Sequence, residues 1–398
     1  VTLPLLFALP WLALLASVLV LVRRRPVLES WPTLPPGDAP LISVIIPARN
    51  EAGNVGACLE GLLASEYGQL EVLVVDDASE DNTREIVRGY AEGDGRVRLI
   101  ESSGPPSGWF GKPAACARGA ADARGDILVF IDADVRQHPE ALGRAVSALR
   151  DRRADLLPLL PRQVLGSFWE RLVMPQITTL ILFRYADPER VNRSPRSRDK
   201  LGVGQFLMLP REVYERVGGH GRVRHEVAED LRLAQTVHAD GGNVVLAIAD
   251  RFLSVRMYTS LQAIVEGWSK NVAVASRQTV PEWIAPLVPW SLVAWLLLVW
   301  VMPALALGGW LVGPLPPGWG AWGAIAGAVG VLFWGGVFRE MRIPLPYVPL
   351  YPLGAVMAAG IVARSALRGT RRIEWKGRRY REMTEPSPEL RSQADAPR

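Results

Sequence analysis

The sequence holds only two cysteines, Cys58 and Cys116, far apart and with no metal-ligand spacing around either. That scarcity excludes a disulfide framework and a cysteine-built zinc site, and it fits packing residues in a reducing compartment. Signs of nucleic-acid binding are absent too. There is no helix-turn-helix pattern, zinc-finger spacing or aromatic and basic strand signature to go with the net charge of +5 and the pI near 9.4. Basic flanks beside apolar segments fit anionic lipid head groups better, so a membrane is the expected partner and nucleic acid is not. Charge itself is missing from one long stretch, Thr2 to Val22.

At ~1.5 Å per helical residue, that stretch can cross a hydrocarbon core of ~30 Å. Arg23, Arg24 and Arg25 follow at once, whereas a secretory signal carries its positive charge ahead of the apolar run and a small-residue cleavage site behind it. An uncleaved anchor over 1–25 is expected, with a cleaved signal peptide as the alternative. The positive-inside tendency then puts the N-terminus outside and the rest in the cytosol. The chain of 398 residues leaves room for a cytosolic catalytic domain over 40–280 and more besides. An apolar share of 49% and a mean hydropathy of +0.13 are high for a wholly soluble enzyme. The surplus lies in 283–367, where Pro286 to Leu311 and Trp319 to Phe338 can each span, joined by an external turn at 313–318. Arg339 and Arg342 mark a return to the cytosol. The last apolar piece, Ile343 to Leu367, is interrupted by Pro344, Pro346, Pro349 and Pro352 and reads as interfacial or re-entrant, which keeps the basic tail 368–398 inside; the alternative, a third span, would put that tail outside against the charge rule. The expectation is a multi-pass protein of the plasma membrane.

Between Pro40 and Asp151 short β-branched runs (41–46, 70–75, 97–100, 127–131) alternate with helical patterns (55–63, 82–90, 112–121, 139–149). Such alternation implies an α/β fold whose mainly parallel sheet is covered on both faces, with ligands beyond the carboxyl ends of the strands. Polar residues stand at those ends: Pro47-Ala48-Arg49-Asn50-Glu51, then Asp76-Asp77-Ala78-Ser79, then Asp132-Ala133-Asp134. A strand-end Asp can be no more than a helix cap. Three acidic clusters along one edge repel each other, however, unless a cation or a set of donors holds them. Mn²⁺ or Mg²⁺, bound by Asp132 and Asp134 and completed by water and phosphate, meets that need. A glycine-rich cradle of the G-x-G-x-x-G or Walker type is missing, which argues against NAD enzymes and ATPases and leaves metal-dependent nucleotide handling.

The runs P-A-R-N-E, V-V-D-D-A-S, G-K-P-A-A-C-A-R-G-A, F-I-D-A-D and A-E-D-L-R occur in the order found in the family-2 inverting glycosyltransferases of GT-A fold, which the chain resembles from about Pro40 to Asn271. The G-W-F-G-K form, the tail W-K-G-R-R-Y and the membrane layout resemble the branch that glycosylates carotenoid and hopanoid-type lipids. This resemblance implies transfer of one sugar from a nucleotide diphosphate sugar, with a UDP-sugar favoured, to the hydroxyl of a lipid. It implies further that Pro47, Arg49 and Glu51 line the nucleotide pocket, that Asp76 or Asp77 accepts a hydrogen bond from the base, and that Lys112, Arg118 and Asp132 lie near the nucleotide. Lys112 and Arg118 also fall where a helix begins, which suits a diphosphate. A surface helical arginine is the plainer reading of Arg118.

The E-D motif of that family matches Glu229-Asp230, with Asp230 as the base that removes the acceptor proton and Glu229 in support. Gln205, in G-V-G-Q-F-L-M, resembles the segment that lines the acceptor and sugar subsites. His220, after Gly218-Gly219, is either a donor-sugar contact or a turn histidine. Residues 161–185 are either an element lying on the bilayer or core packing, and the basic run 192–200 either closes on the donor or is a solvated loop. Gly267-Trp268-Ser269-Lys270-Asn271 stands where processive members carry Q-x-x-R-W. That departure disfavours a polysaccharide synthase and leaves Trp268 and Lys270 for the membrane edge of the acceptor subsite. A polyprenyl-phosphate acceptor and a noncatalytic nucleotide-sugar sensor are the remaining alternatives.

Overall fold

A computed structural model describes residues 11, 26–34, 39–185, 187–368, 372–375 and 378–381. Apart from Trp11, the anchor expected over 1–25 lies outside the described residues, as does most of the basic tail. The chain divides into two compact units: Arg25–Val164 with Pro188–Met257 and Arg371–Arg398, and Val1–Arg24 with Leu165–Asp187 and Tyr258–Thr370. Residues 165–187 and 258–280, grouped by sequence with the catalytic domain, thus pack with the apolar C-terminal helices.

In the first unit the strands are β1 (Ile42–Ala48), β2 (Leu70–Asp77), β3 (Val97–Ser102), β4 (Ile127–Phe130), β5 (Val135–Gln137), β6 (Leu157–Leu160), β7 (Arg162–Gln163), β8 (Leu207–Pro210), β9 (Ala247–Ile248) and β10 (Leu253–Val255). Seven of them form a sheet in the order β3-β2-β1-β4-β8-β6-β9, while β5, β10 and β7 form a small second sheet. Strands β1 to β4 run parallel, and β8 lies antiparallel between β4 and β6. Alternate side chains feed two cores: Val44, Ile46, Val72 and Val74 enter one, Ile45, Leu73 and Val75 the other. Both faces are therefore buried, which is why the strands read as unbroken apolar runs. The helices Val55–Leu63 and Ala141–Asp151 complete the first core with Leu59, Leu62, Leu142 and Val146. The helices Gly111–Asp122 and Glu229–Ala239 complete the second with Ala115, Ala120, Leu233 and Val237. Register pairs Ala48 with Asp76 and Ile45 with Phe130, so the residues after β1, β2 and β4 emerge at one edge. All three acidic clusters sit there.

The second unit is helical. Helix Phe168–Tyr185 buries Leu172, Val173, Met174 and Ile177 in a core shared with Trp300, Phe333, Trp334 and Tyr351, and leaves Phe168 and Trp169 exposed at its start. Core packing is thus the observed role of most of this segment. Three stretches among the described residues are long and apolar enough to cross a membrane: Val288–Val312, Pro317–Glu340 and Leu345–Arg368. The first passes through a π-helical turn, Leu296–Val301, ahead of Pro303. Pro303 has no N–H to return to Val299. The Val299 carbonyl instead accepts the indole N–H of Trp11 at 3.0 Å. The second stretch lies close against the first: a Cβ on Gly323 would stand 2.7 Å from the Leu307 nitrogen and the Pro303 oxygen, so only glycine permits this approach.

In the third stretch the prolines do not break the helix, contrary to the expectation of an interrupted piece over 343–367. Its prolines are confined to the entrance, a 3₁₀ turn at Leu345–Leu350 and the first residues of the helix Tyr351–Arg368, where a missing N–H costs nothing. The helix beyond them is continuous. It buries Ala355, Ala358 and Val362 in the unit's core.

Candidate active site

Where β1 and β2 end, two residues other than glycine turn left-handed, Asn50 at φ 52° and Ala78 at φ 53°. A web of short bonds holds these corners together. Asn50 N–H donates to Ser79 Oγ at 3.0 Å, Glu80 N–H to Asn50 Oδ1 at 2.8 Å and Glu51 N–H to Thr83 Oγ1 at 2.8 Å. The buried Arg49 guanidinium donates to the carbonyls of Asp77, at 2.8 Å, and Ala78, and pairs with Glu80. Arg49 therefore shapes the loop after β2. Pro47 is buried in β1, and the Glu51 carboxylate accepts the Asn54 amide at 2.9 Å. Asp76, with a side-chain exposure of 0%, accepts two bonds from Arg84 at 2.9 and 3.1 Å and the Ser79 N–H at 3.3 Å. Asp77 lies buried beside it.

The strand end after β4 is built differently. Lys112, in the first turn of Gly111–Asp122, places Nζ 2.8 Å from Asp132 Oδ1 and 3.0 Å from Glu229 Oε1. Burial opposes its charge, but the carboxylates of Asp132, Glu229 and Asp230 outweigh that and hold the ammonium well above the usual lysine value. One lysine thus joins the acidic end of β4 to the acidic start of helix Glu229–Ala239. Asp230 Oδ2 accepts the Gly204 N–H at 2.7 Å, and Oδ1 accepts the Leu231 N–H at 2.8 Å. Burial first, and the neighbouring Glu229 charge next, push this carboxyl up to about 6. The backbone comes this close because of two glycines: a Cβ on Gly202 would overlap the Asp230 carbonyl, and one on Gly204 would stand 2.8 Å from Lys112 Nζ. Beside this segment Gln205 donates to Met257 Sδ at 3.5 Å.

Asp134 stands apart from these bonds. Its Oδ1 is buried and has no hydrogen-bond partner, and burial, with the charges of Asp132 and Glu51, pushes its carboxyl up to about 7. An orphaned carboxylate oxygen beside a second carboxylate is a hard-oxygen donor set of the kind a divalent ion takes. Among the described residues no group of three or more His, Cys, Asp or Glu side chains could hold a metal ion alone. An ion here would need outside ligands to complete its shell.

The structure does not bring every expected residue into this cluster. Arg118 is 61% exposed and pairs with Asp122 one turn on, at 3.5 Å, as a surface arginine does. Trp268 and Lys270 belong to the helical unit, where the Trp268 indole donates to Met174 Sδ at 3.2 Å. Sequence reasoning left His220 undecided and passed over Tyr214. His220 is buried, its backbone N–H donates to the Tyr214 hydroxyl at 3.1 Å, and its Nδ1 meets the same hydroxyl at 3.0 Å. Burial, aided by Lys112, pushes the imidazole down to about 3 and keeps it neutral. The available signal was Gly218-Gly219, both with positive φ, which packs a sharp turn against the Tyr214 ring.

A mostly parallel sheet with acidic pairs beyond two strand ends and a third acidic pair opening a later helix defines a GT-A type fold. Residues 43–218 match the model of "Glycosyl transferase family 2". A 4,4'-diaponeurosporenoate glycosyltransferase of Staphylococcus haemolyticus is 29% identical over 253 residues, 63% of this chain and 65% of that protein. The protein of the same name from Staphylococcus aureus (strain MRSA252) is 26% identical over 258 residues, with the same coverage. The chain thus spans just under two thirds of these relatives' length. The fold is shared with a mannosyltransferase of Pyrobaculum calidifontis solved with GDP-Man and Mn²⁺, at a TM-score of 0.56 and 21% identity, over 90% of this chain and 94% of that one.

Proposed function

We propose that the protein is a membrane glycosyltransferase that moves a single sugar from a nucleotide diphosphate sugar to the hydroxyl of a membrane lipid, with inversion. One observation carries this reading: Lys112 draws the acid pair after β4 and the Glu229-Asp230 pair into one cluster, so a donor-holding acid and a candidate base share a site. Asp132 and Asp134 would hold Mn²⁺ or Mg²⁺, which when bound neutralises charge on the departing diphosphate. Asp76 or Asp77 accepts the hydrogen bond from the base, on a loop that Arg49 shapes. Asp230, deprotonated, removes the acceptor proton as the hydroxyl oxygen bonds to the anomeric carbon and the bond to the diphosphate oxygen breaks. Gly204 N–H steadies that carboxylate.

Three apolar helices and the uncharged N-terminal stretch support a lipid-facing enzyme of the plasma membrane with its catalytic unit in the cytosol. The relatives' names favour a carotenoid-type acceptor. Gln205 is assigned to its subsite. The test is nucleoside diphosphate release by detergent-purified protein, with a panel of UDP- and GDP-sugars, Mn²⁺ or chelator, and total lipid extract. Lipid-dependent, chelator-sensitive release with one donor is expected. Donor binding with no release under any lipid fraction would overturn the proposal in favour of a sensor. A phosphate acceptor, already ionised, would leave turnover insensitive to Asp230→Asn.

A further inference from the structure

We infer that Lys112 is an electrostatic latch: its ammonium ties Asp132 to Glu229, and a divalent ion has to displace it before both Asp132 and Asp134 can serve as ligands. The inference rests on the reading of those two aspartates as the ion-holding pair. Its physical basis is the uneven charge of the cluster. Four carboxylates, of Asp132, Asp134, Glu229 and Asp230, surround one ammonium, which bonds only two of them. The remaining negative charge attracts a dication. At Asp132, however, a contact of 2.8 Å to Nζ puts that dication in direct competition with the lysine.

Gly204 borders the ammonium so closely that a Cβ there would stand 2.8 Å from Nζ, so the lysine is hemmed in on the side facing Asp230. Its four-carbon stem can swing toward a different anion, which a guanidinium fork does less readily. An incoming diphosphate supplies that anion. The ion and the nucleotide therefore bind as a pair, and metal alone binds weakly. Release of Lys112 also frees Glu229, the neighbour of Asp230, as the donor arrives. Two ligands that compete with or relieve the same contact are coupled by its free energy, commonly a factor of about ten.

The experiment is Mn²⁺ binding followed by electron paramagnetic resonance on the full chain in detergent, first with metal alone and then with UDP or GDP. Lys112→Ala and Lys112→Gln should bind Mn²⁺ alone about tenfold more tightly than the wild type. Lys112→Arg, which keeps the charge, should stay within about twofold of it. If removal of the ammonium destabilises the fold, the glutamine variant, which retains a donor for both carboxylates, decides. Equal or weaker Mn²⁺ binding by a folded Lys112→Gln overturns the latch while leaving the ion site intact. A wild type that binds no Mn²⁺ even with either nucleoside diphosphate overturns the ion site itself, and the latch with it.

Discussion

Two strands of one sheet, β2 and β4, end in aspartates, and the structure treats the two ends in opposite ways. Asp76 at the end of β2 has 0% exposure and is closed off by a two-pronged bond from Arg84 eight residues on. Asp132 after β4 is 28% exposed and shares a single lysine with Glu229, while Asp134 keeps a buried oxygen with no partner at all. A carboxylate locked by a local arginine contributes to the shape of a loop. One held by a lysine in common with a distant acid, next to an orphaned oxygen, is the arrangement on which the proposed ion site rests.

The largest effect that would test this contrast lies at the base. Asp230→Asn should lower kcat by about 10²–10⁴ with hydroxyl acceptors, the range for loss of a positioned base, while donor binding by calorimetry stays unchanged. In the wild type, Asp230 must be ionised to act and its carboxyl is pushed up to about 6. Turnover should then rise with pH by about tenfold per unit below that value and level off above it. A flat profile from about one pH unit below that value to about one above it would remove Asp230 from the role.

Asp76→Asn should behave in the opposite sense. It should cost about 2 kcal/mol of stability, the scale of a buried hydrogen bond to a charged group, seen as a lower melting temperature, while chelator sensitivity is retained. In the helical unit, Trp11→Phe removes the donor that Val299 accepts and should cost about 1 kcal/mol in a detergent melt. Arg118→Ala should be the mildest, under about 0.5 kcal/mol for an exposed pair with Asp122, with donor affinity unaltered. Tenfold weaker donor binding there would return Arg118 to the nucleotide site.

Much of this was legible from the residues alone. Unbroken apolar runs in β1 and β2, alternating with helical patterns, determined a sheet buried on two sides, and strand polarity then put every acidic motif on one edge. The order of those motifs was enough to place Asp132, Asp134, Glu229 and Asp230 among the candidates. Such patterns are local: a strand, its turn and its cap lie within a dozen residues. What only the tertiary structure decided is how distant groups are paired. It committed Asp76 to Arg84, bridged Asp132 to Glu229 through Lys112, turned Arg118 to the surface, and buried His220 against Tyr214. It also assigned 165–187 and 258–280 to the helical unit and made a continuous helix of Tyr351–Arg368 behind its prolines. Charge and hydrogen bonding act over a few ångströms, and which side chains come within that reach is set by how whole elements pack.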